Sequence, residues 1–367
     1  MDLTVGPSGG DIDGEASLAI QAAVDRAAAA GGGTVTLLAG TYTIVDRIRM
    51  RSHTALAGAG ADTILVKADG WEAPLWEDGD WGNVWATCDP LPAVRVGQGV
   101  HLYSDHDRGW NTTVATVLEI DGNRLRLSER FHGNHMVQDN ARISSACSII
   151  DCEDVEDVAV ADLVIEGNAA KNFRLDGCRG GAIHGLRSDR AALSGVTVRD
   201  FNGDAISYQL CHDWAIENCV TEDNTGHGLH PGTGAQRPVT RGCVSRRNGN
   251  CGMFVCWRVQ HGVFEDNVFE ENGSAGISIG HKDTDNVFRS NRIVGNTGPG
   301  IVTRNEKFPM CPDRCTYEEN TIQGNNGGGP QVVLQGEVAD LIFEANTYDE
   351  SALCFEVGPD VKSLIRE

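Results

Sequence analysis

Basic, imidazole and carboxylate side chains return at one phase of a repeating phrase in the second half of the chain. His230 is followed by Arg258, then by His281-Lys282-Asp283, then by Arg304-Asn305-Glu306. Two chemistries fit such a set. In a β-elimination, a base removes the proton α to a uronate carboxylate while cations stabilise the enolate-like intermediate. Lys282 or Arg258 would be that base, Arg304 the carboxylate clamp, and His230 or His281 the acid to the leaving oxygen. In a glycoside hydrolysis, two carboxylates flank the scissile bond; Glu306 and Asp283 are the candidates, with Asp204 and Asp223 behind them. A uronate epimerase would use the lyase set without expelling a leaving group.

These residues share a face only if the chain coils with a fixed period. Copies of one phrase begin at Gly195, Asn218, Gly242, Asn267, Asn291, Asn320 and Asn346, in steps of 23, 24, 25, 24, 29 and 26 residues. A period in the twenties is a solenoid signature. Each unit alternates apolar and polar residues between Asn or Gly joins, as strand, turn, strand, turn. Asn at a recurrent turn tolerates left-handed φ/ψ and can form a side-chain ladder between coils. Aligned on Gly228, Gly252, Gly276 and Gly300, the next residues (Leu229, Met253, Ile277, Ile301) point inward, and His230, Phe254, Ser278 and Val302 point outward. The outer face then carries His184, Gln209 and Asp204 from earlier coils and Trp257, Arg304 and Asn305 from later ones, all read as substrate-binding. Arg258, Lys282 and Arg304 form a cationic strip suited to a uronate carboxylate. A polar solenoid face whose charges pair with each other is the non-catalytic alternative, as in a glycan-binding β-helix.

Composition bounds the rest. Fifty-two acidic against thirty basic residues give a net charge of −22, which argues against a duplex nucleic-acid binder. No apolar run is long enough to span a membrane. The first residues show no signal peptide, so the cytoplasm is expected, or secretion if the true N-terminus lies upstream. Twelve cysteines in 367 residues are too few for a disulfide scaffold, and Cys311 and Cys315 read as ordinary loop thiols. Between residues 70 and 145 the repeat is absent, and five of the seven tryptophans (Trp71, Trp76, Trp81, Trp85, Trp110) gather. Strand-like patterns at 94–103, 113–120 and 124–127, with Asp121-Gly122 as a hairpin turn, mark an inserted β subdomain. The tryptophans could stack on sugar or pack as a mini-core or oligomer contact. Ser104-Asp-His-Asp-Arg reads as a solvated loop. The expected division is a cap and first coils over 1–69, the insertion over 70–145, and the main β-helix over 146–367.

Residues 16–30 form an amphipathic helix with Leu18, Ile20, Ala23, Val24 and Ala27 on one side, stopped by Gly31-Gly32-Gly33. With the preceding Gly10-Asp-Ile-Asp-Gly and the following Thr-Val-Thr-Leu-Leu-Ala-Gly-Thr-Tyr, this segment resembles the start of pectate-lyase-like right-handed β-helix proteins. There a short helix caps the open solenoid end, which would otherwise expose core and strand edges. The resemblance covers residues 8–66 in motif and about 150–358 in repeat pattern. It implies an all-β, right-handed parallel β-helix and a carbohydrate substrate. Pectate lyases of the superfamily use a basic residue on the β-helix face, usually with calcium. Their full acidic calcium cluster is missing here, so no cofactor is assigned and calcium stays open, as does a homo-oligomer. The superfamily also hosts glycosidases, epimerases and phage tail proteins. The functional expectation is cleavage of an acidic polysaccharide by β-elimination, with glycoside hydrolysis and uronate epimerisation as alternatives.

Overall fold

The computed structural model describes residues 1–349 and 354–367. Short strands, most of three residues, succeed one another around a coil, and each pairs in parallel with its counterpart one coil away. Three parallel sheets result, one of thirteen strands and two of ten. This is the right-handed parallel β-helix that the repeat implies. Its core is one continuous apolar column from Leu3 to Phe343. Within it Phe264, Phe288, Tyr317 and Phe343 stack at centroid spacings of 4.9, 4.9 and 4.4 Å, because in-register coils place like residues about 4.8 Å apart.

The turns are held by amide ladders. Asn224 donates to Asn248 at 2.9 Å, Asn248 to Asn272 at 3.0 Å, Asn272 to Asn296 at 2.9 Å and Asn296 to Asn325 at 2.9 Å. A second ladder runs through Asn267, Asn291, Asn320 and Asn346. The left-handed residue is not the ladder Asn but the one before it: Asp223, Arg247 and Glu271 in one row, Asp266, Ser290 and Glu319 in the other. The Asn side chain satisfies the buried backbone groups of the turn, so the strained φ falls on its exposed neighbour.

Helix Ser17–Ala29 caps the N-terminal end, burying Ser17, Ile20, Ala23, Val24 and Ala27. Leu18, expected on that apolar side, is exposed. Residues 72–144 leave the solenoid as a six-stranded antiparallel sheet with its own core, including Leu75, Val100, Val117, Leu125 and Ile143. Its strands are Gly99–Tyr103, Thr113–Asp121 and Arg124–Leu127, so residues 94–98 are not strand. Asp121 pairs with Arg124, which makes Gly122-Asn123 the hairpin turn, and Gly122 takes φ +60°. The tryptophans do not form one cluster. Trp76 and Trp81 are exposed, and Trp85 lies under Arg124. Trp110 reaches the solenoid, its Nε1 donating to Thr233 Oγ1 at 3.3 Å. Within the Ser104–Arg108 segment only part is solvated: Asp107 is buried and meets His135 Nδ1 at 2.7 Å. No disulfide is formed among the described residues.

Candidate functional site

The site lies on the ten-stranded sheet that begins at Ile48–Arg49, where the insertion folds back over it. Register puts His184, Ser207 and His230 in one outward row, and Phe254, Ser278 and Val302 continue the face. A cleft of about 710 Å³ opens beside this row. Its floor comes from the sheet face (His230, Phe254) and the turns leading into it (Asp204, His227), and its wall from the 172–178 loop and from Arg108 and Gly109 of the insertion.

Asp204 and His227 sit one coil apart at the same turn. The His227 backbone N–H donates to Asp204 Oδ1 at 2.8 Å, and Asp204 Oδ2 takes His230 Nδ1 at 2.7 Å. Burial alone would raise the Asp204 carboxyl, but the neighbouring His227 and His230 outweigh it and hold the group below the usual carboxylate range. For His230 burial opposes the charged ring, yet Asp204 and Cys256 prevail and raise its pKa to about 10. His230 is therefore an imidazolium at neutral pH, and its Nε2 is buried without a partner. A Cβ on Gly177 would strike Asp204 Oδ2 at 1.9 Å and His230 Nδ1 at 2.9 Å. Only glycine lets this turn of the loop lie on the dyad.

His227 is the opposite case. Burial pushes its pKa down to about 4, so the ring is neutral. The Cys251 backbone N–H donates to its Nδ1 at 3.2 Å, which puts the ring proton on Nε2. The ring stacks on Phe254 at 4.4 Å, and Arg304 covers the other side of Phe254 at 4.6 Å. A neutral imidazole with its Nε2–H at a cleft can polarise a carbonyl or carboxylate oxygen. Arg108 and Arg174 line the same cleft and form no ion pair among the described residues. Deeper in the wall, Lys67 is buried and donates to Asn202 Oδ1 at 2.8 Å, which holds the cleft rim.

The other sequence candidates are distributed around this centre. His184 lies two coils back, over a separate cleft of about 360 Å³, with Nδ1 3.4 Å from Asp151 and Nε2 buried and unpartnered. Gln209 is fully buried; it accepts from the Thr233 backbone at 2.6 Å and donates to Ser207 at 3.1 Å, so it shapes the face instead of meeting a ligand. Asp283 is buried as well, its carboxylate taken by the backbone N–H groups of Val259 and Gly280 and by Arg304. Burial raises its pKa to about 6. This position takes Asp283 out of reach of a scissile bond. Arg304 is not a free clamp: it also donates to Ser278 Oγ at 3.0 Å and to the Val255 carbonyl at 2.7 Å. His281 Nε2 meets Glu306 at 2.8 Å and stacks on Trp257 at 4.8 Å. Arg258, Lys282 and Asn305 are exposed at that corner, outside the cleft lining.

Sequence reasoning missed His227, Arg108 and Arg174. His227 carried a signal, because its row otherwise reads Cys251, Ala275 and Pro299. The two arginines come from an insertion and a loop, where no period applies. Among the described residues no group of three close metal-ligating side chains lines the cleft, and Asp204 and Asp176 accept backbone N–H groups there. The three-residue ligand grouping His53, Glu156 and Asp157 is fully exposed and lies outside the cleft lining.

The model of the right-handed β-helix region family matches residues 181–348. The fold and this match make the chain a right-handed β-helix protein. Its sequence is 27% identical over 257 residues to the mannuronan C5-epimerase AlgE3 of Azotobacter vinelandii, covering 62% of this chain but 12% of that relative. The aligned part is thus a small share of the relative's length. Among solved structures it resembles the A-module of the A. vinelandii mannuronan C-5 epimerase AlgE4, with TM-score 0.61 and 18% identity over 95% of this chain and 90% of that one. It also resembles a glycoside hydrolase, with TM-score 0.53 and 11% identity over 95% and 97% of the two chains. At these identities the structural likeness speaks for the fold alone.

Proposed function

We propose that this chain is a carbohydrate enzyme acting on uronate polymers, and that its reaction is C5 epimerisation in the cleft over Asp204, His227 and His230. The observation that carries the reading is the pair of histidines with opposite protonation on one cleft floor. Removing a carbon-bound proton next to a carboxylate requires a strong base and a stabilised enediolate. His227 Nε2–H and Arg174 would hold the reacting carboxylate and take up the charge that develops on it. His230 in its free-base form would accept the C5 proton at Nε2, with Asp204 fixing the ring through Nδ1, and a proton from water would return to C5 on the opposite face of the sugar, leaving the inverted centre. The epimerase named among the sequence relatives supports epimerisation over the elimination that sequence reasoning put first, and both share this first step.

The test is incubation with polymannuronate in D₂O. Deuterium at C5 with guluronate appearing in the product is the expected result. An unsaturated chain end would make it a lyase, and shortened saturated chains would overturn the proton-abstraction reading.

A further inference from the structure

The insertion holds a second cavity, of about 200 Å³, behind the cleft wall. Arg108, Arg174 and Asp176 line both spaces, so the two adjoin across these side chains. Asp176 is the hinge of this wall: its carboxylate accepts the Gly109 N–H at 2.9 Å and the Cys178 N–H at 3.0 Å, tying insertion to solenoid. The cavity is lined by His101, only 2% exposed, whose ring stacks on Tyr103 at 4.9 Å. Neither nitrogen of that ring meets a side chain within hydrogen-bond geometry, and of the backbone only Arg174 lies beside it. Burial pushes its pKa down to about 4, so the ring is neutral, one nitrogen a donor and the other an acceptor. Buried polar atoms are nearly always satisfied. A buried imidazole that meets no other side chain, beside an aromatic face and a guanidinium held only by the Ser104 and Asp107 carbonyls, is the equipment that reads a hydroxylated, anionic ring.

We propose that this cavity is a substrate subsite contributed by the insertion. It would take the uronate residue neighbouring the reacting one, with Arg108 on that residue's carboxylate and His101 bridging its hydroxyls. The inference rests on the uronate reading of the cleft. It gives the insertion a role: to make the enzyme select chain length.

Calorimetric titration of the full chain with oligomannuronates of two to six residues tests it. Wild type should bind more tightly once the oligomer is long enough to enter the cavity. His101→Phe should weaken binding of those longer oligomers about tenfold and leave the shortest bound one unchanged, since a buried hydrogen-bond pair is at stake. Tyr103→Leu, at a half-buried side chain that lines the cavity and not the cleft, should show the same length dependence and carries the test if His101→Phe does not fold. Long oligomers bound equally by wild type and both variants would overturn the subsite and leave the uronate reading standing. No binding by wild type at any length would overturn both.

Discussion

Two sets of solenoid corners have the same backbone and opposite chemistry. Away from the cleft, left-handed residues stack an arginine on an aspartate one coil back: Arg187 on Asp154, Arg190 on Asp157, Arg237 on Asp213, Arg247 on Asp223 and Arg314 on Asp285. Each charge there is exposed or half-buried and met by its opposite. On the site face the turns instead carry Asp204, His227, His230 and, further on, Trp257 and His281. These groups are buried or aromatic, and His184 and His230 keep a nitrogen with no partner. The difference teaches where binding energy is held in reserve. Paired exposed charges contribute little and can do little else, whereas a buried unpartnered donor gains a full hydrogen bond when a ligand arrives.

That contrast can be broken most sharply at the dyad. Asp204→Asn removes the carboxylate that orients His230 through Nδ1 and makes its Nε2 strongly basic, and turnover on a uronate polymer should fall about a thousandfold. Rates measured beside a melting curve check this, and turnover within a few-fold of wild type would remove His230 from the chemistry. The pH profile should agree: a base with pKa near 10 gains free-base population as pH rises, so kcat should increase from neutrality toward pH 10.

The next effect is on stability and belongs to the ladders. Asn248→Ala leaves the Asn224 amide and backbone N–H, both buried, without their acceptor. Urea unfolding should show a loss of about 2–4 kcal/mol.

The two histidines should also shape stability against pH, with opposite signs. His230 has a raised folded pKa, so its contribution is complete below about pH 6.5 and is lost as pH rises toward 10. His227 has a depressed folded pKa; the unfolded chain takes up a proton first, so stability is lost as pH falls from about 6.5 toward 4. Each limb should have a slope near 1.4 kcal/mol per pH unit. His230→Gln should flatten the alkaline limb and leave the acid limb. The smallest effect is expected at an exposed pair. Arg237→Ala, which parts from Asp213, should leave the urea midpoint unchanged within error.

The sequence by itself determined the coil. A 24-residue period, Asn at the turns and alternation about Gly228, Gly252, Gly276 and Gly300 specify which residues face in, because strand alternation is a local rule and stacked coils repeat it. It therefore also determined that His184 and His230 share an outward row and that Asp204 stands close to them. Only the tertiary structure decided which of these meet a ligand. Register could not say that Gln209, Asp283 and Arg304 would spend their hydrogen bonds within the solenoid, since side-chain reach across coils depends on the gaps left by Gly232 and Gly280. Nor could it bring Arg108 and Arg174 to the cleft. They come from an insertion and a loop, whose placement is set by long-range contacts that no sequence period encodes.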